Sequence, residues 1–294
     1  MRCDAGAVTL THREITELLE RHGLSPSRAL GQNFVADPNT VRRIVRLAGV
    51  GEGDPVVEIG PGVGSLTTAL CEVGAEVLAV ELDRHLLPVL AEVVGPLGVT
   101  VIHGDALEVD WPMLLAAHDH WTMVANLPYN VATTIVLQLL DDAPAITTML
   151  VMVQREVGER LASPPGSGAY GIPSVKLALS ATAEVVARVP PTVFIPQPRV
   201  ESALVRITRR AEPVVRCDHN EIMALVRTAF GQRRKMLRRS LNGLVNTEQF
   251  AVAGVSPEDR PEQLGVAQWD ALTAAMLADR DTSPPPAPQW ADDH

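Results

Sequence analysis

Cysteine is nearly missing from this chain. Cys3, Cys71 and Cys217 are odd in number and widely scattered. They suggest neither a disulfide framework nor a zinc site, and they fit a reducing cytoplasm. No run of 18 or more apolar residues occurs, so nothing reads as a membrane-spanning helix. The N-terminal stretch carries Arg2, Asp4, Arg13, Glu14 and Glu17 and lacks the apolar core of a secretion signal. The expectation is a cytoplasmic protein with no membrane partner and no metal. An excess of positive charge is also lacking: the formal net charge is −10. That argues against a nucleic-acid partner, because phosphate binding is driven by Lys and Arg. Aromatic residues are few, with four Phe and two Tyr. No internal repeat is visible.

What is present suits a globular chain. Its 294 residues, 46% of them hydrophobic, allow one large and one small domain. The distribution of charge matters more than its sum. Between Glu221 and Glu248 there is no acidic residue, and that stretch holds Arg227, Arg233, Arg234, Lys235, Arg238 and Arg239. A basic face on an otherwise acidic protein can bind a phosphate backbone locally.

The most informative stretch is Asn126-Leu127-Pro128-Tyr129. It follows the apolar run 122–125, a short buried strand, and precedes an apolar helix pattern from about Ala132 to Leu140. Open α/β sheets bind ligands at such strand ends. Asn126 offers a neutral accepting oxygen and Leu127 a backbone carbonyl. Pro128 stiffens the chain between them, and Tyr129 offers a flat face for a base. Two acceptors on the N–H groups of a flipped-out adenine amine would pull it toward a tetrahedral geometry and aim its lone pair at an electrophile. The same residues would also make an ordinary strand-to-helix turn with a buried Tyr.

Other elements can be placed along the chain. A short helix is expected near Thr11 to His22. Asp37-Pro38 reads as an N-cap followed by Pro at the first helical position, opening a helix to about Ala48. Gln32 and Asn33, just before it, could reach a ligand or serve as turn residues. Strands are expected over 55–59, 77–81, 99–103 and 147–153. The first runs into Gly60-Pro61-Gly62-Val63-Gly64, where glycine lets the backbone approach a ligand, and a helix follows from about Ser65. The second ends in Glu81, 21 positions beyond Gly60, a spacing that suits an acid receiving ribose hydroxyls. The glycines depart from G-x-G-x-x-G, since the third comes one place early, and the tighter turn suits S-adenosylmethionine, which has no pyrophosphate. Asp105, in Gly104-Asp105-Ala106, could accept from an adenine amino group or cap a turn. Glu58 reads as a buried hydrogen-bonding group.

A helix opens at Gln154-Arg155-Glu156. Residues 163–171, with two prolines and three glycines, read as a flexible surface loop. A helix near Ser174 to Ala183 and a strand pair, roughly 184–189 and 203–208, follow. Between these strands lies Phe194-Ile195-Pro196-Gln197-Pro198, too Pro-stiffened to read as helix or sheet. Phe194 could supply a second aromatic face opposite Tyr129, or pack over the sheet edge. From about Pro213 the chain reads as helical, with helices near 220–230, 234–244 and 267–277, and its last dozen residues look disordered.

Together these stretches resemble the small-subunit branch of the ribosomal RNA adenine dimethyltransferases, over roughly residues 30–269. The landmarks are Gly31-Gln32-Asn33-Phe34, Glu58-Ile59-Gly60-Pro61-Gly62, Glu81-Leu82-Asp83, Gly104-Asp105-Ala106, Asn126-Leu127-Pro128-Tyr129-Asn130, the Phe194 segment and Phe230-Gly231-Gln232-Arg233-Arg234-Lys235. The resemblance implies an α/β class I S-adenosylmethionine-dependent methyltransferase fold, a Rossmann-like seven-stranded sheet over residues 24–211. A polar lead-in precedes it over 1–23. A small all-α RNA-binding domain follows over 212–280, then a disordered tail over 281–294.

It further implies that Gln32, Asn33, Val35, Gly60, Gly62, Glu81, Leu82, Asp105, Ala106 and Asn126 hold S-adenosylmethionine. Asn126, Leu127, Pro128, Tyr129 and Phe194 would form the catalytic site, and the six basic residues would bind RNA. The partner would be 16S rRNA in immature small ribosomal subunits, with two adjacent adenosines near its 3′ end dimethylated by a monomeric enzyme. Two departures stand out: Glu201-Ser202 where the family often has Asp-Ser, and Tyr170-Gly171-Ile172-Pro173-Ser174 where many members have Tyr-Gly-Arg-Leu-Ser. The missing Arg bears on an RNA contact or on the packing of that loop.

Rival readings remain. Large-subunit rRNA methyltransferases of the macrolide-resistance type share the chemistry but typically carry Asn-Ile-Pro-Tyr. A non-catalytic ribosome-assembly factor on the same scaffold would not need the complete amine site. An NAD-dependent oxidoreductase would need the glycine spacing that is absent.

Overall fold

The computed structural model describes residues 9–27 and 30–282. Two compact units result: Met1–Ala162 with Ser180–Ala211, and Ser163–Leu179 with Glu212–His294. The division differs from the expected boundary, because residues 163–179 belong with the helical unit. The expected tail over 281–294 and the first eight residues of the lead-in fall outside the described residues, apart from the end of the last helix.

In the first unit a seven-stranded sheet runs in the order β4-β3-β2-β5-β6-β9-β7. Its strands are β2 (Pro55–Ile59), β3 (Glu76–Glu81), β4 (Thr100–His103), β5 (Trp121–Asn126), β6 (Ile146–Gln154), β7 (Ala181–Val189) and β9 (Ser202–Arg209). From β4 to β6 all neighbours are parallel, while β9 pairs antiparallel with both β6 and β7. Central strands are buried on both faces, so apolar residues follow one another rather than alternate, as in Met123-Val124-Ala125 of β5 and Met149-Leu150-Val151-Met152-Val153 of β6. A second, two-stranded sheet pairs β1 (Phe34–Val35) with β8 (Phe194–Ile195).

The helices explain themselves locally. Helix α1 (His12–Arg21) has a capping box between Thr11 and Glu14. Helix α2 (Pro38–Ala48) starts where Asp37 accepts from the Thr40 N–H and ends at Gly49 in the left-handed region. Then come α3 (Ser65–Glu72), α4 (Leu87–Val94), α5 (Trp111–Leu114), α6 (Ala132–Asp142) and α7 (Arg155–Leu161). At the C-terminal end of α6, Arg209 donates to the carbonyls of Leu139, Leu140 and Ala143. Helices leave their last carbonyls short of donors; here Leu139 and Ala143 also accept from the Ala143 and Ile146 N–H groups and take Arg209 as a second donor. One arginine thereby anchors the helix that follows the Asn126 tetrapeptide.

The other unit is helical. Besides most of α8 (Ile172–Ser180), it contains α9 (His219–Gly231), α10 (Leu237–Ser240), α11 (Thr247–Val252) and α12 (Val266–Thr282). Its core includes Tyr170, Val226, Leu241, Phe250, Leu264 and Trp269. The segment 163–171 is not the flexible loop expected from its glycines and prolines. Gly166 N–H donates to the Glu262 carbonyl at 2.7 Å, and the buried Tyr170 hydroxyl donates to the Leu264 carbonyl at 2.9 Å. A buried aromatic anchor outweighs local chain freedom. No helix among the described residues is long and apolar enough to cross a membrane.

Candidate active site

The sheet order reverses between β2 and β5, and at such a switch point the loops after the two strands part to leave a crevice. The register Val56↔Thr122, Val57↔Met123, continued to the strand ends, sets Gly60 level with Asn126. The pocket found here is lined by Gly60, Gly62, Glu81, Asp105, Asn126 and Tyr129, among others.

Each wall follows from its sequence. After β2, Gly60, Gly62 and Gly64 all take positive φ, which keeps the turn tight. Gly62 cannot be replaced without movement, because a Cβ there would meet the Phe34 ring at 2.7 Å. After β3, Glu81 is 5% exposed. Its Oε2 accepts from Gly62 N–H at 3.1 Å and its Oε1 from Asp83 N–H at 2.8 Å. Burial raises its pKa, and those two N–H groups offset part of the shift. The carboxylate keeps lone pairs for further donors. After β4, Asp105 Oδ1 accepts from Leu107 N–H at 2.9 Å, so one oxygen holds its own turn. Leu82, 50% exposed, and the buried Ala106 flank these acids.

The tetrapeptide is a strand-to-helix elbow. Leu127 N–H still donates to the Met152 carbonyl, while the Pro128 carbonyl already accepts from Val131 and Ala132 N–H. The Asn126 side chain donates through Nδ2 to the Asn33 carbonyl at 2.8 Å. A carbonyl can only accept, so this contact fixes which end of the amide is nitrogen. Oδ1 is thereby the end left to accept. The half-buried Tyr129 shares a hydrogen bond with Ser202 Oγ at 2.7 Å, which tethers its ring. Burial raises the Tyr129 pKa, and the Ser202 contact partly offsets this.

Gln32, Asn33, Leu127 and Pro128 also line the pocket. Val35 and Phe194 do not reach it. They oppose each other across the β1–β8 pair, at 3% exposure each, in the core with Val41 and Leu66. The expectation that the Pro-stiffened Phe194 segment is neither helix nor sheet is therefore corrected: β1 supplies a long-range partner that converts part of it into a strand, and the Phe194 ring is packed in the core instead of facing Tyr129 across the pocket. Among the described residues no Lys, Arg or His lines the pocket, and both of the charged residues that do are carboxylates. Those acceptors suit a cation bearing hydroxyls and oppose a pyrophosphate.

Sequence reasoning passes over Asp83 and Ser202 as functional residues. Asp83 has one local signal, its position two beyond Glu81. Ser202 has none, since its partner lies 73 residues away. Among the described residues, no three His, Cys, Asp or Glu side chains gather as a metal site.

A family model described as ribosomal RNA adenine dimethylase matches residues 24–276. The chain belongs to that family. Its fold is that of the class I methyltransferases, and its cofactor is S-adenosylmethionine. The ribosomal RNA small subunit methyltransferase A of Kineococcus radiotolerans is 45% identical over 284 residues, 93% of this chain and 94% of that one. The protein of the same name from Acidothermus cellulolyticus is 42% identical over 92% of this chain and 96% of that one. Among solved structures, the 23S rRNA methyltransferase ErmE aligns with a TM-score of 0.65 at 26% identity, covering 83% of this chain and 99% of that one. A dimethyladenosine transferase from Plasmodium falciparum shares the fold, with a TM-score of 0.68 at 21% identity over 84% of this chain and 97% of that one.

Behind the glycine turn lies Glu58, 1% exposed, whose Oε2 lacks a hydrogen-bond partner among the described residues. Burial, aided by the charge of Glu81, pushes its carboxyl up to about 8. A raised folded-state pKa contributes stability that is fully present below the unfolded value and lost as pH rises through the folded one. That window runs from 4.5 to about 8. Glu58→Gln, neutral throughout, is expected to gain thermal midpoint relative to the parent between pH 5 and pH 8.5. Calorimetric melting curves at the two pH values check this; parallel profiles would exclude it.

Proposed function

We propose that the protein transfers methyl groups from S-adenosylmethionine to the exocyclic amines of two adjacent adenosines near the 3′ end of 16S rRNA, on immature small subunits. The observation that carries this reading is the fixed amide of Asn126, with Nδ2 held by the Asn33 carbonyl and Oδ1 left as an acceptor beside the Leu127 carbonyl. Asn126 Oδ1 and the Leu127 carbonyl would accept from the two amine hydrogens, and the Tyr129 ring would stack on the base, taken out of its stack. Such a base–aromatic contact is worth about 1–3 kcal/mol. When bound, the cofactor supplies an electrophilic methyl on a sulfonium centre. Glu81 would accept from its ribose hydroxyls, Asp105 from its adenine amine, and the two carboxylates favour its positive charge. Catalysis is then mainly positioning and electrostatic stabilisation. The amine can lose its proton to water after transfer, so no general base is required.

The small-subunit target rests on relatives 42–45% identical over most of the chain, against 26% for the 23S enzyme of known structure. Leu127, where the macrolide-resistance enzymes typically carry Ile, points the same way. A monomer in the cytoplasm, with a further part in subunit assembly, fits this reading.

The test mixes the protein with labelled methyl donor and either immature small subunits or 23S rRNA, then maps modified nucleotides. Dimethylation of two neighbouring adenosines in 16S rRNA is the expected result. Label in 23S rRNA alone would favour the large-subunit reading, and no label at all the assembly-factor reading.

A further inference from the structure

The segment 30–34 crosses the pocket as a strap. At one side, a Cβ on Gly31 would lie 3.1 Å from Asn130 Oδ1 and 3.4 Å from Pro128 Cβ, so the strap rests on the loop that carries the amine site. In its middle, the Asn33 carbonyl accepts the Asn126 amide, and Asn33 Nδ2 donates back to the Gly31 carbonyl at 3.1 Å. Beyond it, the Phe34 ring closes over Gly62. Leu30 N–H donates to Ser27 Oγ at 3.3 Å and Phe34 pairs with Ile195; the strap's remaining polar side-chain contacts are those of Gln32.

Gln32 is engaged at both ends of its own amide. Oε1 accepts from Ser27 N–H at 2.7 Å, and Nε2 donates to Asp83 Oδ2 at 2.8 Å. Asp83 is fixed in turn: its N–H donates to Glu81 Oε1, and its Oδ1 accepts from His85 N–H at 3.0 Å. A continuous chain therefore runs from Glu81 through Asp83 and Gln32 to the Asn33 carbonyl and the amide of Asn126. Gln32, expected from the family resemblance to touch the cofactor, lines the pocket while each polar atom of its amide also holds a protein partner.

We propose that the Gln32–Asp83 hydrogen bond is a latch that holds the strap, and that Gln32 and Asp83 are positioning residues which set the Asn126 amide for methyl transfer. The proposal rests on the assignment of Asn126 to the amine. The latch also couples the two halves of the pocket, because a donor on Glu81 and an amine on Asn126 act on opposite ends of one path, made of three hydrogen bonds joined through the covalent frames of Asp83 and Gln32-Asn33.

Its polarity supplies the test. Asp83→Asn keeps the His85 contact through its oxygen and turns an NH2 toward Gln32 Nε2, so two donors face each other. Gln32→Glu sets two carboxylates face to face. The double variant Gln32→Glu/Asp83→Asn reverses donor and acceptor, keeps the Ser27 and His85 contacts, and restores both the bond and the net charge.

A lost hydrogen bond to a charged group corresponds to about a ten-fold effect or more. Each single variant is therefore expected to lose at least that much in kcat, with the KM for RNA little changed and the thermal midpoint lowered by only a few degrees, and the double variant to regain both. Without any donor present, amide hydrogen exchange over residues 31–34 should quicken by about ten-fold in the single variants and return to the parent rate in the double. A normal kcat in Asp83→Asn, or no recovery in the double variant, overturns the proposal. Asn126→Ala is assayed alongside. If it loses activity while Asp83→Asn keeps it, the latch alone has failed; if it keeps activity, the amine-site assignment itself has failed.

Discussion

Asn126→Ala should lower methyl transfer by about 10²–10³-fold or more, the range seen when one preorganised polar group is removed from a site where charge develops. The cause lies in the amine rather than in the methyl donor. An adenine amine is nearly planar and weakly nucleophilic, because its lone pair is shared with the ring. During transfer it gains positive charge, which two fixed oxygens stabilise without reorganising. Alanine removes one of the two and leaves the Leu127 carbonyl alone. It also frees the Asn33 carbonyl, losing a half-buried hydrogen bond worth about 1 kcal/mol, so the protein should remain folded. Single-turnover assays with labelled donor would read the loss in the chemical step, and circular dichroism would confirm the fold. Methylation within ten-fold of the parent would defeat the role given to Asn126.

The residues behind this expectation are legible because their signals are local. Asp37-Pro38 marks a helix start, and that helix spans Pro38–Ala48. A Val-rich run, broken only by the buried Glu58 and ending in glycines, marks β2, and Glu81 falls at the end of β3. The tetrapeptide combines a strand end with a proline stop, and it lies at the switch point of the sheet. What fails to show depends on partners distant in sequence. The Phe194 segment reads as loop until β1 pairs with it. Gln32 reads as a turn residue or a ligand contact, and its bond to Asp83, 51 residues away, has no local signal.

The helical unit shows the same division. One helix is expected over 234–244, but the chain turns first: Lys235 N–H donates to the Gln232 carbonyl, Met236 is extended, and only Leu237–Ser240 is helical. Helix α11, absent from the sequence-based expectations, nonetheless carries a legible start. Asn246 and Gln249 form a reciprocal capping box, whose S/T/D/N-x-x-E/Q pattern is recognisable in sequence.

Neutralising the basic stretch should separate its six residues into two groups. Arg233 donates to the Gly168 carbonyl at 3.0 Å and lies 3.7 Å from Glu262. Arg238 lies 3.8 Å from Glu258. Arg227, Arg234, Lys235 and Arg239 are exposed and form no ion pair with the described residues. A cation already facing a carboxylate releases fewer counterions when it meets a phosphate, so the second group should carry the binding. Replacing those four with Ala is expected to weaken RNA binding by about 10²–10³-fold and to flatten the log–log salt dependence by about 0.7–0.9 for each phosphate no longer neutralised. The effect should be large because the rest of this acidic chain repels RNA and offers little to replace them. Arg233→Ala should instead lower the thermal midpoint and leave the salt slope nearly unchanged. Filter-binding titrations of 16S rRNA across a series of salt concentrations read both quantities. An unchanged slope in the four-fold variant would remove this face from the RNA interface.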